Sequence, residues 1–226
     1  MKLYGALASP YVARVVMFTN LKGIDLPMES APGGMGSDEY KDFNPTGKIP
    51  SLDADGQCIA ESTVICDYIE RVHPEPALTP ADPMLEAQTR MIARMTDLYI
   101  APHNTPLTRM RGAGNHDQAI IDQQAAEFAK GFAYLEKCMG PGPFAAGDAP
   151  GLGDCALAPF IVMLKQTVFP HFEEVVDPTE GSGRLALWWQ AIQSHEACKK
   201  NVDEYDTALT EFLKWLYEML AKRNQG

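Results

Sequence analysis

Residues 44–62 read NPTGKIPSLDADGQCIAES. Within them, Ile49-Pro50 sits at the mouth of a short apolar run, Ala54-Asp55-Gly56 makes a turn, and Glu61-Ser62 follows at once. Proline removes a ladder donor, so Pro50 argues against an ordinary central strand. The run makes sense if its backbone pairs with something other than a neighbouring strand. The Asp-Gly turn predicts a hairpin of Ser51–Asp53 with Gln57–Ala60.

Upstream, Lys2–Leu7 reads as a strand, Pro10–Lys22 as a helix, Leu26–Ser30 as a second strand and Ser37–Phe43 as a short helix. Downstream, Ser62–Val72 reads as a helix. The order β-α-β, short α, β-β-α predicts a small mixed sheet with helices packed on it over residues 1–76. Pro74, Pro76, Pro80 and Pro83 then make a stiff non-helical join, with the linker placed at 77–84. Beyond it no strand is expected. Asp82-Pro83 is a helix N-cap with proline at the first helical position, opening a helix towards Met110. Asn115–Met139, Leu152–Gln166, Arg184–Ile192 and Asp206–Lys222 read as further helices, so 85–226 is expected to be all-helical. Met84, Met91 and Met95, with Leu98 and Tyr99, recur at helical spacing and read as core. Methionines in such a stripe also suit an adaptable apolar surface.

Composition narrows the function. The 226 residues are 46% hydrophobic and 22% charged, as in an ordinary globular protein. No apolar run reaches the roughly 20 residues of a membrane span, and no signal-peptide core follows Met1, so secretion is not expected. The net charge of −11 argues against nucleic acid and anionic membranes as partners. An anionic ligand must therefore be held by local donors. Cysteines 58, 66, 138, 155 and 198 contain no C-x-x-C pair, and histidines 73, 103, 116, 171 and 195 have no partner at i+3 or i+4. Free thiols in a reducing cytoplasm, and no metal site, are expected.

Three stretches can carry chemistry. Ser9 before Pro10 has the form of an N-cap, and a helix N-terminus there would stabilise a bound thiolate, with the hydroxyl as an extra donor. Ile49-Pro50 is a candidate cis peptide whose backbone could pair with an extended peptide-like ligand, with Lys48 near a terminal carboxylate. Glu61-Ser62 opens a helix; Ser62 reads as its N-cap, and the pair could hold the carboxylate and ammonium of an amino-acid head group. Taken singly, each has a plain structural reading as a cap, a turn with a solvated lysine, and a cap again. Tyr4 and Tyr11 are rival hydroxyls, and Arg14 reads foremost as a solvated or interdomain ion pair. Gly47-Lys48 is no phosphate loop, because Asp42 and Ile49 stand where that motif needs glycine and a hydroxyl.

The stretches LYGALASPYVARVVMFTNLKG, NPTGKIPSL, ESTVICDYIERVHPE and GDAPGLGDCALAPF together resemble the cytosolic glutathione transferases, over nearly the whole chain. The resemblance implies a thioredoxin-like N-terminal domain and an all-α C-terminal domain. It also implies glutathione as co-substrate, a hydrophobic electrophile, a detoxification-type role and a homodimer. It would place Ser9 at the glutathione sulfur and Lys48 at the glycyl carboxylate. Ile49 beside cis Pro50 would meet the cysteinyl backbone, and Glu61 and Ser62 the γ-glutamyl end. Two departures matter. Omega-type relatives carry cysteine where Ser9 stands, so disulfide exchange would lack its nucleophile here. Gly151 also replaces the hydroxyl residue of the usual capping box, leaving Asp154 to a weaker cap. The alternative to an enzyme is a non-catalytic binding protein of the same fold.

Overall fold

Residues 1–223 are described here by a computed structural model, and the last three residues of the 85–226 span lie outside it. Four strands form one sheet in the order β2-β1-β3-β4: β1 Lys2–Tyr4, β2 Met28–Glu29, β3 Ser51–Ala54 and β4 Gln57–Ala60. β1 runs parallel to β2 and antiparallel to β3, with Leu3 opposite both Met28 and Leu52. The hairpin β3–β4 turns at Asp55 and Gly56, both at positive φ, and Asp53 accepts from the Gly56 amide at 2.7 Å. The first two strands are shorter than expected. Pro27 has no amide for a ladder, and after Tyr4 only the Gly5 amide still bonds across, to the Glu29 carbonyl, before the chain turns at Leu7 and Ala8. A Cβ on Gly5 would stand 2.8 Å from Val12, so glycine is what lets α1 approach the sheet.

The helices of this half are α1 Pro10–Leu21, α2 Asp38–Phe43 and α3 Ser62–Val72. Leu3 and Leu52 point to α1 and α3 and join the main core with Val12, Val15, Phe18, Ile65 and Ile69. Tyr4 points the other way, edge-on to Tyr40 and Phe43, in a small separate cluster under α2. The proline-rich join is held from below. Lys22, its amine fully buried, reaches Glu70 at 2.7 Å and the Pro76 carbonyl at 2.6 Å. Glu70 in turn accepts from the Leu78 and Thr79 amides.

Six further helices follow among the described residues: α4 Pro83–Met95, α5 Ala101–Gly112, α6 Gln118–Cys138, α7 Leu152–Thr167, α8 Arg184–Ser194 and α9 Glu196–Arg223. Asp82 caps α4 as expected, accepting from the Met84 and Leu85 amides at 2.8 and 3.0 Å. Asp82→Ala should lower stability by about 1 kcal/mol in denaturant titration; an unchanged midpoint would mean that water or a neighbour replaces the cap. The helix expected to run unbroken towards Met110 is interrupted by a π-helical turn, Thr96–Ile100. Pro102 has no amide to give Leu98, and the wider turn absorbs the mismatch. α9 starts ten residues before Asp206, because Cys198, Val202, Tyr205 and Leu209 form a narrow buried stripe in an otherwise polar segment.

Of the methionine stripe only Met95 packs against the core. Met84 is 67% exposed, and Met91, Leu98 and Tyr99 also face outward. α4 and the π turn instead bury Thr89, Ile92, Ala93, Thr96 and Ile100 against α7 and α6. At the centre of the helical half, Asp154 is fully buried at the start of α7. It accepts from the Gly151 amide, the Ala145 amide and the Trp188 indole, each at 2.8 Å. Burial pushes its carboxyl above the usual aspartate range against those three donors. Gly151 stands in place of a hydroxyl residue because a Cβ there would come within 3.0 Å of the Leu78 carbonyl.

Candidate active site

Five of the six residues singled out in the sequence line one open cleft of about 200 Å³, at the seam between the sheet half and the helical half: Lys48, Ile49, Pro50, Glu61 and Ser62. Ser9 is half-buried at the N-terminus of α1 and is not among the lining residues; Tyr11, two residues on, is. Tyr4 is excluded by its packing under α2.

The loop before β3 is pinned through its backbone. Ile49–Pro50 is cis. The Lys48 carbonyl accepts from buried Asn44 at 2.8 Å and from the Tyr40 hydroxyl at 3.0 Å. Tyr40 also touches the Ser51 hydroxyl at 2.7 Å, and Thr46 is tied to Asn44. Two buried polar side chains thus hold the main chain of Lys48 and leave its amine exposed. No side-chain, turn or cap bond engages the Ile49 amide or carbonyl among the described residues. A rigid turn with an unused edge is what strand-like pairing with a ligand requires.

At the other end, Glu61 rather than Ser62 occupies the N-cap position of α3, at φ 68° and ψ 113°. For a residue with a Cβ that conformation costs about 1–3 kcal/mol, and such strain concentrates where a side chain must be aimed. The kink begins the helix at Ser62, so its hydroxyl does not cap, contrary to the sequence reading. Ser62 Oγ accepts instead from Arg14 Nη1 at 2.9 Å. With its lone pair engaged, the hydroxyl proton is left to donate into the cleft.

Arg14 is 1% exposed and pairs bidentately with Asp97 of the π turn, through Nη1 at 3.1 Å and through Nη2. It also lies 5.4 Å from the Tyr11 ring centroid. The ion pair between the two halves is therefore the role Arg14 plays, and it fixes Ser62 as well. Tyr11 stacks edge-on against Phe160, and burial pushes its phenol up, so it stays protonated. Asp97 and Arg94, the cleft's contributions from the helical half, carried no signal in the sequence. An acid and a base three apart on a helix are ordinary, and only the fold brings them over Ser62.

The chain offers no activated thiol of its own near α1. Burial pushes Cys66 and Cys155 up, Cys198 up to about 12, and Cys58 up as well. No group of three or more metal-ligating side chains occurs among the described residues. None of the described helices is long and apolar enough to cross a membrane.

Residues 3–77 match the glutathione S-transferase N-terminal domain, and residues 118–191 match the C-terminal domain of the same enzymes. A probable glutathione S-transferase, BZ2 of Zea mays, is 31% identical over 95% of this chain and 96% of its own. The chain belongs to the glutathione S-transferase family. Maleylacetoacetate isomerase of Pseudomonas aeruginosa is 32% identical over 70% of this chain and 79% of its own. Among solved structures, the Tau class glutathione S-transferase of Mangifera indica superposes with a TM-score of 0.75 at 28% identity, covering 95% of this chain and 97% of that one. The glutathione transferase fold expected from the sequence, a thioredoxin-like half followed by a helical half, is the fold present.

Proposed function

We propose that the cleft binds glutathione along the edge of the sheet and activates its thiol for attack on a small hydrophobic electrophile. The observation that carries this reading is the convergence of Lys48, Ile49, Glu61 and Ser62 on one cleft beside the start of α1. Lys48 meets the glycyl carboxylate, the Ile49 backbone pairs with the cysteinyl residue, and Glu61 and Ser62 receive the γ-glutamyl head group. The sulfur then lies at the N-terminus of α1. Pro10 has no amide there, and Ser9 makes no capping bond with its side chain. The Ser9 hydroxyl is free to donate to sulfur, and together with the helix dipole it favours the thiolate over the thiol. The thiol proton leaves to solvent, and the sulfur lone pair forms the bond to the electrophilic carbon as a leaving group departs with its bonding pair or the adjoining π bond opens. Conjugation and glutathione-dependent isomerisation both begin in this way, and relatives named for each chemistry support the assignment. With serine at α1 the protein assists a thiolate supplied by glutathione and does not form a disulfide itself.

Ser9→Ala is expected to lower kcat about 100-fold with little change in glutathione affinity, the cost of one hydrogen bond to developing charge. Because Tyr11 lines the cleft, Tyr11→Phe is the paired measurement. A large loss in Tyr11→Phe with none in Ser9→Ala would move the donor role to Tyr11.

The outward face of Met84, Met91, Leu98 and Tyr99, with Val64 on α3 nearby in sequence to the cleft, supports a homodimer closed over that face. The free cysteines support a reducing, cytoplasmic setting and the detoxification role of such enzymes.

A further inference from the structure

We propose that Arg94 is a second carboxylate-reading group of the cleft, pairing with the α-carboxylate of the γ-glutamyl residue; this rests on glutathione being the ligand. On α4, Arg90 is already committed to Asp67 at 2.6 Å and Glu86 at 3.1 Å. Asp97, one turn after Arg94, is held by Arg14. Arg94 itself lines the cleft with no hydrogen bond or ion pair among the described residues.

The charges left over are informative. Arg14 and Asp97 neutralise each other, which leaves Lys48 and Arg94 as unpaired cations and Glu61 as the unpaired carboxylate. Glutathione at neutral pH carries two carboxylates and one ammonium, so each ligand charge has one free partner. Lys48 lies on the β3 side with Ile49 and Pro50, and takes the glycyl end. Arg94 reaches the cleft from the helical half, as does Asp97, which bridges through Arg14 to Ser62. It therefore takes the carboxylate at the Glu61–Ser62 end. The surplus cation also answers how a chain of net charge −11 admits a net anion. A planar guanidinium can hold a carboxylate through two donors, which a serine hydroxyl and helix amides alone do not offer.

Titration calorimetry on the full chain tests this with three ligands: glutathione, its analogue with 4-aminobutyrate in place of the γ-glutamyl residue, and glutathione amidated at glycine. The Arg94→Gln variant should bind glutathione about tenfold more weakly than wild type, the value of one charge-assisted contact. Arg94→Lys should recover part of the loss. The 4-aminobutyryl analogue, which lacks the α-carboxylate, should bind wild type and Arg94→Gln alike, whereas the glycine amide should keep the full tenfold difference. Thermal midpoints of the two proteins should coincide, since Arg94 is exposed and makes no hydrogen bond or ion pair among the described residues. Equal glutathione affinity of wild type and Arg94→Gln would overturn the assignment while leaving the glutathione site intact. The same would follow from a tenfold loss that persists with the 4-aminobutyryl analogue. Failure of the wild type to bind glutathione at all would overturn the site and this assignment together.

Discussion

Arg14→Ala should destabilise the protein by about 3–5 kcal/mol and remove measurable glutathione binding at the same time. The guanidinium is almost wholly buried, and the alanine variant strands its partners on two different halves of the molecule. Asp97 loses both of its charged donors in a part-buried setting, while Ser62 loses the contact that orients its hydroxyl towards the cleft. The gross attraction within the pair is offset by desolvation, so the expected cost comes mainly from the carboxylate left behind. That argument yields a control. Arg14→Met combined with Asp97→Leu removes both charges and should recover much of the stability without recovering ligand affinity. Denaturant titration and calorimetry on the single and double variants check it. A loss for Arg14→Ala no larger than that of an exposed ion pair, below about 1 kcal/mol, would show that solvent screens the pair.

Asp154→Ala should cost a comparable amount, about 3–5 kcal/mol, through a different mechanism. Three donors converge on this one carboxylate: the Gly151 amide that opens α7, the Ala145 amide in the preceding loop and the Trp188 indole of α8. None of them can turn to water, because the site is sealed, and each orphaned donor costs about 1–3 kcal/mol. Asparagine has one acceptor oxygen and would set its amide group against at least one donor, so Asp154→Asn should fall between alanine and wild type. Trp188→Phe provides a cycle. Removing the indole N–H should cost less in the Asp154→Ala background than in wild type, because that donor is already unpaired. Equal cost in both backgrounds would mean that Trp188 contributes only its packing, and that the loop is held by Arg184, which donates to the Gly140, Gly142 and Phe144 carbonyls.

Both predictions concern residues whose partners lie far away in sequence. Arg14 could be read as an ion-pair former, but nothing near it names Asp97, 83 positions on. The Asp154 half of a capping box is readable, since the cap is three residues away, whereas its bonds to Ala145 and Trp188 are not. The methionine stripe was misjudged for a related reason. Periodicity reveals that a helix has an apolar side and not whether the core lies on that side, and α4 buries Thr89, Ile92 and Ala93 while Met84 and Met91 face outward. The cap was misplaced by one residue because a positive φ at Glu61, a residue that ordinarily avoids it, makes Glu61 the cap and starts the helix at Ser62, one residue earlier than a Ser62 cap would.

Local chemistry was enough to order the elements: an Asp-Gly turn between short strands, a proline where a strand should not have one, a capped proline opening the helical half. These are short-range preferences of the backbone, and they survive being read one segment at a time. The lysine turn and the Glu-Ser pair likewise stood out in the sequence, and they line one cleft. What the residues alone left open is which hydroxyls line the cleft, what neutralises Arg14 and where the cleft finds its second cation. Those answers depend on α1, α3 and the π turn meeting across the seam between the two halves, and charges separated by dozens of residues interact only once packing has made them neighbours.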